Sequence, residues 1–445
     1  MSSTELNRTL QKLSSISFCA KSDPAFEFMS LAHHLNAEFL KDCYYNLDRN
    51  KAVGVDRVSW LEYKQDLDNN LKTLVDKLKR KAFKPLPAKR VYIPKGNKEL
   101  RPLGISSIEN KIVERGIARI IGSIYEADFY DFSYGFRPNK NAHQALKVIG
   151  DEINFKPVNH IVEADIKGFF DNVEHDLLLD FLKIRIKDTS LLFLITRFLK
   201  AGYIDNNLLI KSDKGTPQGS ILSPMLANIF LHYVLDQWFD NTVTHHINGY
   251  CKIVRYADDF ICLVQFEDDA NKILRALQNR FNKYKLQLHP DKTRVFSFGR
   301  LERGNAISLN RKANTFDFLG FTHYCDKTRK GHFKVGRKTS AKKFRAKAKD
   351  LNLWLKKIRN QVLTKDWWKI LKLKLQGHYE YYGISENYHS IRKFYKLAIK
   401  LAKKWMNRRS QRRTMSWDKM KSYLLLYPLP TPSIRHSFYT LSHNV

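Results

Sequence analysis

Cysteine is scarce in this chain. The five, Cys19, Cys43, Cys251, Cys262 and Cys325, are scattered with no Cys-x-x-Cys pair, so neither a zinc site nor a disulfide framework is expected, and a reducing compartment follows. Long apolar runs are missing too. None approaches the roughly 20 residues of a membrane-spanning helix, and Met1-Ser2-Ser3-Thr4-Glu5-Leu6 has neither the basic start nor the apolar core of a secretion signal, so a cytoplasmic protein is expected. Acidic residues are the third shortage: 44 Asp and Glu against 78 Lys and Arg leave a formal charge of +34. Such an excess predicts a polyanionic partner. The basic residues are spread over many segments rather than along one amphipathic face, which favours nucleic acid over a membrane surface and implies salt-sensitive binding.

What is present is a chain of 445 residues, 43% hydrophobic, long enough for two or three domains with sizeable cores. Its centre is Val254-Arg255-Tyr256-Ala257-Asp258-Asp259-Phe260-Ile261, two adjacent acids between short β-favouring runs that read as strands joined by a tight turn. An Asp-Asp pair alone is most often a hydrated turn. A second run changes the balance: Ile161-Val162-Glu163-Ala164-Asp165-Ile166 ends a strand-like segment on Asp165, and Gly168 follows where a ligand would need close backbone approach. If the two runs are neighbouring strands, Asp165 and Asp258 face each other and suit two Mg2+ ions about 4 Å apart, the arrangement that serves phosphoryl transfer.

Along the chain, Phe28, Leu31, Ala32, Leu35 and Phe39 recur at helical spacing, as do Leu67, Leu71, Leu74 and Leu78. Pro85 and Pro87 then break the pattern. Arg90–Lys95 and Glu99–Leu103 read as a hairpin turning at Gly96-Asn97, with Lys95 and Arg101 placed to grip a triphosphate or simply to stand in solvent. Ile108 opens a helical run through Tyr125. Phe132-Ser133-Tyr134-Gly135-Phe136-Arg137-Pro138 interleaves aromatics with Arg137, for stacking on bases or for pinning a loop to the core. Gly215-Thr216-Pro217-Gln218-Gly219-Ser220 is a turn-rich, nearly uncharged loop whose backbone amides and Gln218 can approach a base pair without bulk. Beyond residue 327 basic residues arrive with few acids, and Leu351, Trp354, Leu355 and Ile358, then Ile391, Phe394, Ala398, Ala402 and Trp405, form helical stripes of a small core. Gly377 and Gly383 bracket Tyr379, Tyr381 and Tyr382 in what reads as a connection.

Four of these motifs stand in one order: Asp165 with Ile166-Lys167-Gly168-Phe169-Phe170, Gly215 through Pro224, Tyr256-Ala257-Asp258-Asp259, and Phe318-Leu319-Gly320. Together they closely resemble the reverse transcriptases encoded by bacterial group II introns, and residues after 335 resemble that family's thumb and maturase region. The resemblance implies an α+β right-hand polymerase: an N-terminal extension and start of the fingers over 1–84, fingers and palm over 85–330, and a helical thumb/maturase domain over 331–445. It implies Asp165, Asp258 and Asp259 as catalytic acids, with Ile166 beside them, as ligands of two Mg2+ ions for which Mn2+ could substitute. Lys95, Arg101, Phe170 and Gln218 match nucleotide-binding positions, Phe170 lying under the incoming sugar and favouring deoxynucleotides. Phe318, Leu319 and Gly320 match the primer grip. RNA or DNA contact is expected of Arg137, Lys338, Lys342, Lys343, Arg408, Arg409, Arg412 and Arg413.

The implied partners are the intron RNA or another RNA template, a DNA or RNA primer, deoxynucleoside triphosphates and target DNA, in a bacterial cytoplasm. The expected activity is RNA-directed DNA synthesis, joined to intron splicing and to copying of the intron during retrohoming. Some relatives carry an HNH-type endonuclease with clustered Cys and His. No such clusters occur in this sequence, and none is expected. Two rivals stand beside this reading: a free-standing reverse transcriptase of related lineage acting in phage defence or repair, and an RNA chaperone that does not polymerise. Clustered acids in so basic a chain weigh against the last.

Overall fold

The computed structural model describes the backbone of residues 3–95, 99–211, 213–409 and 415–438, and their side chains except at 3–10, 95 and 99. It is a mixed α+β chain that divides into two compact units, one of residues 1–141 and 161–295, the other of 142–160 and 296–445. Its strands are β1 (Ala88–Lys95), β2 (Glu99–Ile105), β3 (His160–Asp165), β4 (Tyr203–Asp205), β5 (Leu208–Ile210), β6 (Cys251–Tyr256), β7 (Asp259–Val264), β8 (Arg294–Ser297), β9 (Thr315–Phe318), β10 (Phe321–Lys327) and β11 (Phe333–Thr339).

In the first unit the expected hairpin forms. β1 and β2 pair antiparallel in the register Lys89 to Ile105, and β4 and β5 extend the sheet in the order β2-β1-β4-β5; its Gly96-Asn97 turn lies outside the described residues. The second sheet has the order β6-β7-β3-β8, and the chain leaves the unit along β8. Helix Ile108–Tyr125 is the core's spine. Ile112, Val113, Ile117, Ile120, Ile121 and Ile124 are all fully buried, so burial on nearly every face outweighs the weak helix preference of β-branched residues. Ser107 starts it by accepting the Asn110 N–H.

The N-terminal stripe is a correction. Phe28 to Phe39 do not share one helix: Phe28 bridges Ile186, Ala32–His34 is a single 3-10 turn, and a separate helix runs Ala37–Tyr45 from an Asn36 cap. Phe28, Leu31, Leu35 and Phe39 are buried as their spacing predicts, and Ala32 is half-buried. Their backbone is satisfied differently, because the Asp188 carboxylate takes the N–H groups of Leu31 and Ala32 at 2.6 and 2.7 Å and Phe28 exchanges bonds with Arg185 and Lys187.

From Ser223 a helix runs to Leu231, opens into a π turn over His232–Asp236 and continues as Gln237–Asn241. Arg280 donates to the carbonyls of Tyr233 and Val234 inside that turn, at 3.1 and 2.9 Å. The wider turn brings Asn228 and Asp236 to bear on one partner, Arg255.

The second unit packs β9, β10 and β11 antiparallel with helices Ala341–Ile358, Thr364–Tyr382, Tyr388–Met406 and Trp417–Leu426. Tyr379, Tyr381 and Tyr382 thus belong to a helix that Gly377 does not interrupt, not to a connection. Helix Ala142–Phe155 joins this unit through Gly150: a Cβ there would lie 1.6 Å from the buried Arg337 guanidinium, which pairs with Glu386 at 3.2 Å. Buried His378 stacks on Phe394 with centroids 3.9 Å apart, and burial, then the Lys347 charge, holds it down to about 4. His378 is therefore neutral when folded, while the unfolded chain binds its proton near pH 6.5. Stability is lost as pH falls from 6.5 towards 4, by about 2 kcal/mol at pH 5 for this one group. His378→Phe is expected to lose less stability between pH 7.5 and 5, read from urea midpoints; an unchanged pH slope would assign the effect elsewhere.

Candidate active site

β6 and β7 pair with Tyr256 opposite Asp259, leaving a two-residue turn of Ala257 and Asp258. Ala257 takes φ +58°, a left-handed conformation that hairpins usually give to glycine at this position. The turn is held from behind. Arg255 is fully buried and donates to the Ala257 carbonyl at 3.0 Å, to Asn228 Oδ1 at 3.0 Å, and through its remaining nitrogens to the equally buried Asp236. Asn228 in turn donates to the Gly135 carbonyl at 2.7 Å. Gly135 lies against the turn itself, where a Cβ would meet the Ala257 nitrogen at 2.3 Å.

β3 lies next to β7 and ends on Asp165. Asp258 is half-buried, Asp259 exposed. Burial raises the Asp258 carboxyl above its ordinary range, and the nearby charge of Asp165 adds to this, while its backbone hydrogen bond, Arg101 and Lys292 act the other way. Asp165 and Asp258 therefore share one electrostatic site with Arg101. Asp165 also pairs with Lys292 at 2.6 Å. Lys292 had no assigned role in the sequence, where it is one of 78 cations. Its place comes from Leu288 bridging Ile166 and from the 3-10 turn Pro290–Lys292 that follows. The bonds flanking that bridge run from Lys167 N–H to Gln287 and from His289 N–H to Asp165, which directs the Ile166 carbonyl away from the 287–289 segment.

Phe169 and Phe170 form part of a short helix, Phe169–Asn172, in which Phe169 is buried and Phe170 half-buried. Gly168, at φ +57°, starts that helix. The Gly215 loop is stitched to it and to the hairpin: Thr216 N–H donates to Phe170 at 2.7 Å, and Gly104 N–H, on β2, donates to Gln218 at 2.6 Å. Gly219, at φ +106°, leaves no room for a Cβ, which would lie 2.5 Å from the Gly104 carbonyl. Beneath the loop, buried Glu114 accepts from Ile221 N–H and the Ser106 hydroxyl, both at 2.9 Å. Burial pushes its carboxyl up, and those donors, with Ser220, pull it back. Arg101, Phe170 and Gln218 are thus carried by three directly bonded elements. Glu114 was invisible as a site residue because a lone acid in an apolar helix carries no motif.

Arg137 is placed elsewhere. Its side chain is buried, with donors directed to Glu126 and to the carbonyls of Tyr130 and Ser133 at 2.6 and 2.8 Å. It pins the 132–138 loop to the core, its donors directed to protein acceptors. The Lys95 side chain, Arg412 and Arg413 lie outside the described residues.

In the second unit, Leu319 and Gly320 turn β9 into β10 with φ +48° and +82°. Tyr381 Oη donates to the Leu319 carbonyl at 2.8 Å, and Phe318 is buried. Lys338, Lys342, Lys343, Arg408 and Arg409 are all exposed, although Arg409 also donates to Thr364.

Clustered carboxylates at the ends of adjacent strands, faced by a basic hairpin and an amide-rich loop, are a site for phosphate-bearing substrates. Residues 93–323, more than half the chain, match the reverse transcriptase (RNA-dependent DNA polymerase) family, and the chain belongs to it. Over 428 residues it is 30% identical to the group II intron-encoded protein LtrA of Lactococcus lactis subsp. cremoris, covering 79% of this chain and 69% of that protein. It is also 33% identical over 278 residues to protein YkfC of Escherichia coli strain K12, covering 54% and 71%. This is a reverse transcriptase of the group II intron-encoded type.

Gly135→Ala is expected to displace the Ala257-Asp258 turn, lowering single-turnover DNA synthesis on the order of 10²-fold at a stability cost of about 1–3 kcal/mol. Wild-type rates in the folded variant would show that the turn tolerates the shift.

Proposed function

We propose that the chain folds as a right-hand polymerase and adds deoxynucleotides to a primer 3′ end on an RNA template, releasing pyrophosphate. In this reading residues 1–84 extend the fingers, 85–330 form fingers and palm, and 331–445 form the thumb/maturase domain. The observation that carries the proposal is the shared electrostatics of Asp165, Asp258 and Arg101, with Gln218 on a loop bonded both to the same hairpin and to the short helix that carries Phe170.

Among the described residues no three His, Cys, Asp or Glu side chains already form a metal cage. The donors nevertheless fit Mg2+, which takes hard oxygen ligands, keeps waters and completes its shell with substrate phosphates. Asp165, the Ile166 carbonyl, Asp258 and Asp259 would hold it, as two ions. When bound, Mg2+ or Mn2+ supplies positive charge that favours an alkoxide nucleophile and a pyrophosphate leaving group. The protein's own part is positional. Arg101, with Lys95, holds the triphosphate, since a guanidinium fork and an ammonium bind phosphate oxygens at no cost in protonation. Gln218 and the exposed Gly219 backbone leave space for a base pair, and the Phe170 ring bars a 2′ hydroxyl. Phe318, Leu319 and Gly320 hold the primer terminus.

The same protein, as a bacterial cytoplasmic one, would bind its intron RNA, assist splicing and copy the intron into target DNA. Lys338, Lys342, Lys343, Arg408 and Arg409, with Arg412 and Arg413, are proposed to contact RNA or DNA backbone. The charge of +34 supports this, as does the likeness to a group II intron-encoded protein.

Primer extension on an RNA template with Mg2+ tests the reading. Asp258→Ala is expected to lower extension by a factor on the order of 10³, with RNA affinity held within about twofold, since a carboxylate makes no phosphate contact. RNA binding without extension by the wild-type protein would favour a chaperone. Phe170→Ala is expected to relax discrimination against ribonucleotides by about 10²-fold, the worth of one steric exclusion; unchanged discrimination in ratios of kcat/KM would remove Phe170 from the sugar site.

A further inference from the structure

The second unit carries a basic cleft of about 640 Å³ that the polymerase reading does not use. It lies at the loop end of β10 and β11, the opposite end of a seven-residue strand from Leu319 and Gly320, and so roughly 20 Å from that turn. Its walls are the end of helix Ala142–Phe155, the start of helix Arg300–Ser308, the loop from Thr328 to His332 and the first residues of β11. Arg300, Arg329, His332 and Lys334 line it, and among the described residues no carboxylate does.

Phe155, 78% exposed, stands on the same wall. Water gains nothing from such a ring, and the core lies elsewhere. The surroundings are built rather than loose. Arg300 donates to the Asn154 carbonyl at 2.7 Å, Val335 N–H donates to Asn154 Oδ1 at 2.9 Å, and the loop closes on itself from Thr328 N–H to His332 at 2.7 Å. Lys334 already lies 3.6 Å from Asp326, so the two arginines supply most of the uncompensated charge.

Two planar cations beside one exposed aromatic ring suit a ligand that alternates anionic groups with flat apolar faces. An acidic peptide would answer the charge and leave the ring in water. A base-paired duplex would present phosphates but no free base face. We propose that this cleft binds an unpaired segment of a nucleic-acid strand, with one base stacked on Phe155 and its flanking phosphates on Arg300 and Arg329. The cleft shares no residue with those proposed for nucleotide addition. It gives the protein a second hold on a strand whose paired part can be engaged elsewhere.

The test uses the full chain, saturated with pre-annealed primer–template, and labelled decamers of oligouridylate and of oligodeoxyuridylate carrying 5-iodouracil. Photocrosslinking is expected to map to the peptide containing Phe155, to vanish in Phe155→Ala and to persist in Phe155→Trp. Affinity should fall about tenfold in Phe155→Ala, as for loss of one stacked base. In the double variant Arg300→Ala/Arg329→Ala the slope of log affinity against log salt should drop by about 1.4, two contacts at about 0.7 each. Primer extension should be unchanged in all of them. Tighter binding of the ribo decamer assigns the site to RNA, and tighter binding of the deoxy decamer to single-stranded DNA. Crosslinks confined to other peptides, with affinity and salt slope unaltered, would overturn the proposal. So would displacement of the decamer by oligoglutamate combined with indifference to Phe155.

Discussion

The site rests on one buried ion pair. Arg255 and Asp236 are both fully inaccessible, so neither can be removed alone without stranding the other's charge, a loss of about 3–5 kcal/mol in comparable pairs. An apolar pair of similar volume could fill the same space, and stability alone does not explain its presence. Its geometry does: the guanidinium also reaches the Ala257 carbonyl and Asn228, and Asn228 reaches Gly135. One planar group with five donors thus sets the height of a strained turn and the loop behind it. The π turn belongs to the same device, since it aims Asp236 at Arg255 from a helix that also supplies Asn228.

A second network does for the β1–β2 hairpin and the Gly215 loop what Arg255 does for the acids. Glu114, a buried carboxylate, is surrounded by donors from Ser106, Ser220 and Ile221, and it ties the Gly215 loop to the segment that follows β2. Gly104 and Gly219 then touch backbone to backbone, which only glycine at position 219 permits. The consequence is mechanical: Arg101 cannot move far with its strand without pulling Gln218. Side chains on these elements can remain exposed or half-exposed and still be held, because the rigidity lies in the buried groups beneath them.

Much of this was legible in the sequence where a residue's chemistry and its local spacing agree. The paired acids lie at a tight turn, Asp165 ends the neighbouring strand, and helix Ile108–Tyr125 has the bounds its periodicity gives. Readings failed where long-range partners decide the backbone. Phe28 to Phe39 recur at helical spacing, yet Asp188, about 150 residues away, takes the amides of Leu31 and Ala32, and the helix begins only at Ala37. Arg137 was open to two roles, and Glu126 with three carbonyls settles it as a loop pin. Helix Ala142–Phe155 reads as an ordinary amphipathic segment. Nothing in its own pattern reveals that Gly150 leaves a berth for Arg337 nearly 190 residues on. Glu114 and Lys292 were missed for a related reason: a single charge becomes informative only when the opposite charge it faces is known.

The electrostatics carry one step further. In a chain of charge +34, most surface attracts polyanion without regard to position, and affinity alone cannot choose where on a strand chemistry happens. Selection has to come from a local reversal. Asp165, Asp258 and Asp259 provide one, and the cost is visible in the raised Asp258 carboxyl. Lys292 and Arg101 offset part of that repulsion, Lys292 through direct contact with Asp165 and Arg101 from the hairpin strand. A phosphate backbone drawn in by the general field is repelled by the acids until other cations enter with it. On the proposed reading, binding and chemistry are thereby separated in one molecule: the field would recruit nucleic acid over a wide area, and the acids would admit only a phosphate that brings its own counter-charge.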